Sequence, residues 1–254
     1  MKHTDKDSFL KPILDLSIEK IANMNHSFCS SKTTCFAKLA SLIKTPTHNL
    51  LKLCIVGLLF QVTACGSFHQ KLKKVSKHEK RWAITHPFQV KRALRISKQA
   101  QKTADSIRQT ELLDRDGNGG QVDAFRHAFW MSTLSQGIGY RSARRLGKAH
   151  EKANYEQFKK GENEDGGLPD AAASKMDLFN NEFGISLYKN NKKASRETYI
   201  SLIIKAIKNG ELRILYKDKK GIYLDCNGEK AALNYKIKKW KNNKCLVPSR
   251  KLIR

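Results

Sequence analysis

The sequence predicts a mainly α protein: a compact bundle of about five helices with a small C-terminal β-hairpin. Three observations point there. From Pro87 to Asn209 apolar residues recur at helical spacing, and Gly or Asp/Asn turn signals separate the runs. After Gly210 the period shortens to that of strands. Hydrophobic residues make up 40% of 254, enough for one core of ordinary size.

Pro87 suits the first turn of a helix, so Phe88–Leu112 reads as a long first helix. Asp114 to Gly120 break it. Val122–Ser135 is the second helix, Gly137 to Gly139 a turn, and Tyr140–Phe158 the third helix. An acidic, glycine-rich loop from Gly161 to Gly167 follows, then a fourth helix over Pro169–Tyr188. Ser195–Lys208 is the fifth, ended by Asn209-Gly210 in the usual C-terminal position. Leu212–Tyr216 and Gly221–Asp225, on either side of Lys219-Lys220, read as the hairpin.

The formal net charge is +26, from 49 Lys and Arg against 23 Asp and Glu. Such an excess says nothing about fold but selects anionic neighbours: phospholipid headgroups, lipopolysaccharide, nucleic acid or acidic glycan. No apolar run reaches the ~20 residues of a bilayer-spanning helix, which excludes a multi-span membrane protein.

The first third reads as a leader. Lys52 precedes the uncharged apolar run Leu53–Gln61, and Val62-Thr63-Ala64-Cys65 follows. A basic flank, a short apolar core and small residues make a secretory signal peptide. The string Val62 to Cys65 resembles a bacterial lipobox, in which the cysteine is acylated and becomes the mature N-terminus. That reading makes residues 1–64 the leader and Cys65 the lipid anchor. A buried segment that happens to contain Cys65 is the plainer alternative. The long stretch before Lys52 fits a translation start nearer Met24 or Lys44, or a cytoplasmic extension ahead of an uncleaved anchor. Gly66, rather than Asp, after the cysteine fits sorting to the outer membrane.

Residues 65–86 read as the anchor and a basic tether, with Lys71, Lys73, Lys74, Lys77, Lys80 and Arg81 against Glu79. Beside an anchor this tether is attracted to anionic headgroups by about 1 kcal/mol per charge; otherwise it is a solvated linker. Residues 87–211 form the helical domain and 212–254 a basic, β-containing tail. With Cys65 lipidated, the tail's Cys226 and Cys245 are either a disulfide pair of the oxidising envelope, contributing roughly 3 kcal/mol, or two unrelated thiols.

The chemistry-bearing residues are polar groups on apolar helices. The second helix is apolar almost all round, yet carries Asp123 and His127 one turn apart. The third has small residues, Ala143, Gly147, Ala149 and Ala153, on the face that carries His150, with Glu151 at its edge and Asn154 one turn on. In the fourth, Asp177 and Asn181 form a stripe apart from Met176, Phe179 and Phe183. A buried carboxylate must be paired or bound to something.

If the stripes face one another they form one cluster, with three chemical readings. Asp123, His127, His150 and Asp177 hold zinc or another divalent metal, which activates water for ester or phosphoester hydrolysis. Alternatively a carboxylate orients a histidine that acts as general base, with no metal. Otherwise the cluster is a structural hydrogen-bond network. In the hydrolase readings His127 and His150 are ligands or bases, and Asp123, Asp177 and Glu151 are ligands or orienting carboxylates. Arg126 holds an anion and Asn181 donates to substrate. The loop Asp114, Asp116, Asn118 copies half of a calcium loop but lacks its closing glutamate, and a turn capping the second helix accounts for it better.

Arg126-His127-Ala-Phe-Trp130, then Ala149-His150-Glu151, then Met176-Asp177-Leu-Phe-Asn180-Asn181 with Gly184 resemble an uncharacterised bacterial domain family with the pattern RHAxW…AHE…MDLxNNxxG. That family occurs in lipoproteins and toxin-like secreted proteins, and the resemblance covers roughly residues 88–215. It implies that Arg126, His127, Trp130, His150, Glu151, Asp177, Asn180 and Asn181 are the positions to watch; it carries no activity. Its members commonly have a histidine after Met-Asp-Leu, where this chain has Phe179. A wider likeness links the helical His/Asp/Glu pattern to zinc phospholipases of the C type, as architecture only. The sequence therefore leaves two functions: a lipid-anchored, metal-assisted hydrolase of an anionic substrate, or a non-catalytic envelope lipoprotein that binds an anionic surface.

Overall fold

The computed structural model describes residues 76–162, 168–233 and 239–250. The expected leader, the lipobox at Cys65 and the start of the tether lie outside them. Among the described residues there are six helices and one two-stranded sheet. None of these helices is long and apolar enough to cross a membrane.

Helix α1, Lys77–Thr85, begins inside the segment expected to be a tether. The Ser76 hydroxyl accepts the Glu79 N–H and donates to its carboxylate, a first-turn cap that fixes the start of the helix. Trp82 is buried, and its indole N–H donates to the Ser142 carbonyl at 3.1 Å. Burying so large a ring offsets the ordering of a short, lysine-rich helix. Pro87 opens α2, Pro87–Arg108. Ala93, Ser97, Ala100, Ala104 and Ile107 give α2 a narrow buried stripe.

Helix α3, Gln121–Ile138, is the axis of the bundle. It is buried almost all round, as its composition requires, and packs against α2, β1 and the helices that follow. Gly139, at φ 83°, turns the chain into α4, Tyr140–Lys160. Helix α5, Ala171–Asn190, is capped by Asp170, whose carboxylate accepts the Ala172 and Ala173 N–H groups. It crosses α3 where Gly184 meets the Ala128 backbone. Helix α6, Arg196–Asn209, is capped by Ser195 and ends at Gly210 in the left-handed conformation.

The C-terminal segment turns back near the expected place: Lys217 bridges Tyr223, and the Asp218 N–H donates to the Ile222 carbonyl. The regular strand pair is different. Strand β1, Arg213–Leu215, pairs antiparallel with β2, Leu246–Pro248, with Ile214 opposite Val247. A strand of three residues has no period to read, so its choice of partner is set by packing on the helices.

The expected boundary between residues 211 and 212 does not separate packing units: all the described residues fall in one. Leu212, Ile214, Cys245 and Val247 belong to the core built around α3. Ser249 donates to the Ile207 carbonyl and accepts, at its own carbonyl, the Gln121 side-chain amide. Cys226 and Cys245 are disulfide-bonded, with Cα atoms 4.9 Å apart.

Asn180 clamps this strap to α5. Its amide donates to the Arg213 carbonyl at 2.9 Å and accepts the Arg213 N–H at 3.0 Å, from a fully buried position. Asn180→Ala would strand both backbone groups, so a loss of about 2 kcal/mol is expected. A urea-denaturation midpoint equal to that of the unmodified protein would remove the clamp.

Candidate metal centre

The α3–α5 crossing sets the site. Close contact at Gly184 brings Asp177 and Asn181 opposite Asp123 and His127. His127 Nε2 lies 3.3 Å from Asp177 Oδ1 and 3.5 Å from Asp123 Oδ1. One donor atom from each of the three lies within 4.8 Å of the others, and all three residues are buried, His127 to 1% exposure. On the far side of the ring, Nδ1 faces Asn181 Oδ1 at 3.2 Å. An amide oxygen only accepts, so the proton sits on Nδ1. The ring so held aims Nε2 between the two carboxylates, the orientation of a metal-ligating histidine held from behind.

The carboxylates are positioned from outside. Asp123 Oδ2 accepts the Gly119 N–H at 2.6 Å, while its Oδ1 accepts from Arg126 at 2.6 Å. The Arg126 guanidinium also lies 3.4 Å from His127 Nε2. Arg126 is nearly buried and forms one wall of a crevice of about 110 Å³, lined also by Arg108, Arg115 and Asp105. Arg126 thus stands between the buried group and solvent.

His150 is not part of this trio. Its Nδ1 pairs with Glu79 of α1 at 3.3 Å, across 71 residues of sequence. The expected four-ligand set therefore reduces to Asp123, His127 and Asp177. Trp130 links the two histidines, its ring edge-on to His127 at 6.4 Å and to His150 at 5.7 Å. The Trp130 indole N–H is satisfied by Ser97.

Glu151 lies beside the trio without joining it. Its Oε2 accepts from the Ser174 hydroxyl at 2.6 Å, and Oε1 has no hydrogen-bond partner among the described residues. Burial pushes its carboxyl up to about 7; the His150 charge and the Ser174 hydrogen bond oppose this, and the Asp123 charge adds to it. Asn154 lies 3.5 Å away through its amide nitrogen. Asn181, expected to be a substrate donor, orients His127 through Oδ1, and its amide nitrogen has no hydrogen-bond partner among the described residues.

Phe179 does not cost this cluster a donor. It is 42% exposed, with the Arg213 guanidinium 4.6 Å above its ring, while Asp177, two residues earlier, is buried. The calcium-like loop is a cap. Asp114 accepts the Asp116 and Gln121 N–H groups, and Asp116 accepts that of Asn118. The ammonium of buried Lys217 donates to both Asp116 and the Asn118 carbonyl at 2.5 Å. A cation from the chain itself fills the charge requirement of the loop.

Sequence reading missed Glu79 and Ser174. Ser76-x-x-Glu79 is a capping-box pattern ahead of Trp82, and was the available sign that the chain is already helical there. Ser174 lies one turn before Asp177 on the same stripe.

Three ligands, one imidazole and two carboxylates, suit a divalent ion such as zinc, with a further position left for water. No curated protein and no solved structure matches the chain. Residues 80–211, just over half of it, match a family described as a domain of unknown function, DUF6973. The stretch holds the Asp123, His127 and Asp177 trio with Asn181 and Glu151, and leaves out Glu79 and the C-terminal strap. By that match, the chain belongs to the DUF6973 domain family.

Proposed function

We propose that this protein is an envelope lipoprotein, anchored through Cys65, whose helical domain binds a divalent metal and hydrolyses an anionic ester or phosphoester. The observation that carries the reading is the buried Asp123–His127–Asp177 group, with the imidazole tautomer set by Asn181. A metal bound there would polarise the substrate oxygen and lower the pKa of a bound water. Asp123, His127 and Asp177 would hold it. Arg126, at the wall of a crevice also lined by Arg108 and Arg115, would receive the anionic group. Glu151, with one oxygen held by Ser174, would take or return a proton near neutral pH.

A specific observation supports a second reading. Arg126 already satisfies Asp123, so the group also works as a closed ion-pair network in a non-catalytic protein that binds an anionic surface. Metal analysis separates the two. The purified full chain, stripped with chelator and reloaded with zinc, is expected to retain one equivalent. His127→Ala and Asp177→Asn are expected to lose it, and His150→Ala to keep it. No retained metal in the unmodified chain, with His127→Ala merely less stable by about 1–3 kcal/mol, favours the network. For the anchor, the intact mass of membrane-extracted protein is expected to correspond to an acylated chain beginning at Cys65. A polypeptide still carrying Met1 or Met24 removes that part.

A further inference from the structure

The corner between α1 and α2 presents two large apolar side chains to solvent. Ile84 is 77% exposed and Phe88 99%. Phe88 projects from the surface of the described residues, and with Ile84 it makes an exposed apolar pair that the core does not use. The corner is rigid. Pro87 sets the first turn of α2, the Trp82 and His86 rings stack at 4.9 Å, and Thr85 donates to the Arg81 carbonyl. The display of Ile84 and Phe88 is therefore preorganised.

The surrounding charge has one sign. Arg81 lies one turn before Ile84 on the exposed face of α1. Lys91, Arg92 and Arg95 continue the exposed face of α2 beyond Phe88. Between Ser76 and Ala104 the sole acidic residue is Glu79, which is buried and turned to His150. The opposite side of α2 is the narrow stripe packed on α3. Helix α2 is thus amphipathic in an unusual sense: one side is committed to the core, and the other is basic with an apolar tip.

We propose that this corner is a membrane-contact site, in which Ile84 and Phe88 enter the headgroup–acyl boundary of an anionic bilayer while Arg81, Lys91, Arg92 and Arg95 engage lipid phosphates. The boundary accepts apolar tips and basic side chains together. Nucleic acid would match the charge and could stack on Phe88, but it offers nothing to an exposed isoleucine. The lipid phosphate surface accounts for both residues. The site is independent of the metal reading, and it acts whether or not Cys65 is acylated.

The test reads position 88 itself. The full chain carrying Phe88→Trp is mixed with vesicles of phosphatidylcholine and phosphatidylglycerol whose acyl chains are brominated. Since Phe88 packs on almost nothing among the described residues, the variant leaves the fold intact. Emission gained over the unmodified chain is expected to shift to the blue and fall by roughly half, because a ring at this boundary lies within reach of the acyl chains. Adding Arg92→Glu and Arg95→Glu is expected to abolish both effects. Unquenched emission at position 88 overturns the proposal, whether or not the protein floats with the vesicles. A shift produced by a single-stranded DNA oligomer and not by vesicles also overturns it, and assigns the corner to nucleic acid.

Discussion

Gly184→Ala is expected to destabilise the domain by about 3 kcal/mol or more. A Cβ at this position would overlap the Ala128 carbonyl oxygen and lie 2.9 and 3.0 Å from its carbonyl carbon and Cα. All of these are backbone atoms of α3, so no side-chain rotation relieves the clash. The helices must separate. The gain in helix propensity from Gly to Ala, about 1 kcal/mol, is smaller than the strain. Separation also acts on the site, because the same crossing holds Asp177 3.3 Å from His127. Gly184→Ala should therefore lower the urea midpoint and weaken metal retention together. Gly137→Ala is the control. Its Cβ meets the terminal methyl of Ile96, the far end of a flexible side chain, and a change below about 1 kcal/mol is expected. Equal midpoints for the two variants would refute the crossing as the tight point of the bundle.

Glu151→Gln is expected to change the pH dependence of stability. Burial raises the Glu151 carboxyl from the ordinary value of 4.5 to about 7, so the folded state holds its proton more tightly than the unfolded chain does. The stabilisation from that proton is complete below pH 4.5 and is lost as pH rises through about 7. The difference is about 3 kcal/mol between the two ends of the window. Glutamine carries no charge at any pH and can still accept from Ser174. The variant should match the unmodified protein near pH 4.5 and exceed it near pH 8, both pH values being rough ends of the titration window. Urea denaturation across that range measures it. Parallel curves for the two proteins would mean that Glu151 is ionised throughout.

The all-round apolar character of α3 was legible in the sequence, because a helix without a polar face has nowhere to sit but the centre. Asp123 and His127 were therefore legible as candidates, and spacing placed Asp177 and Asn181 on one face of α5, which the crossing at Gly184 brings opposite them. His150 lies apart from the trio for a physical reason. Its partner, Glu79, comes from a segment whose lysines read as a solvated linker, and the pairing spans 71 residues. Helical periodicity gives the face on which a side chain lies but not which neighbouring helix covers that face. Similarly, Arg213–Leu215 could be read as a strand, but its partner Leu246–Pro248 could not, since three residues carry no alternation. The role of Asn180 was hidden for the same reason: it binds backbone groups, which have no sequence signature.

The stretch shared with the family and the piece of chain that can stand alone do not have the same edges. Excising residues 80–211 would remove Glu79 from His150, Lys217 from the Asp116 turn, and both Arg213 backbone partners from Asn180. Of the groups so orphaned, His150 and Asn180 are buried, and Asn180 lies on the helix that carries Asp177. A fragment trimmed to those limits would thus lose order around its most conspicuous chemistry first, and a negative activity assay on it would report the trimming rather than the protein.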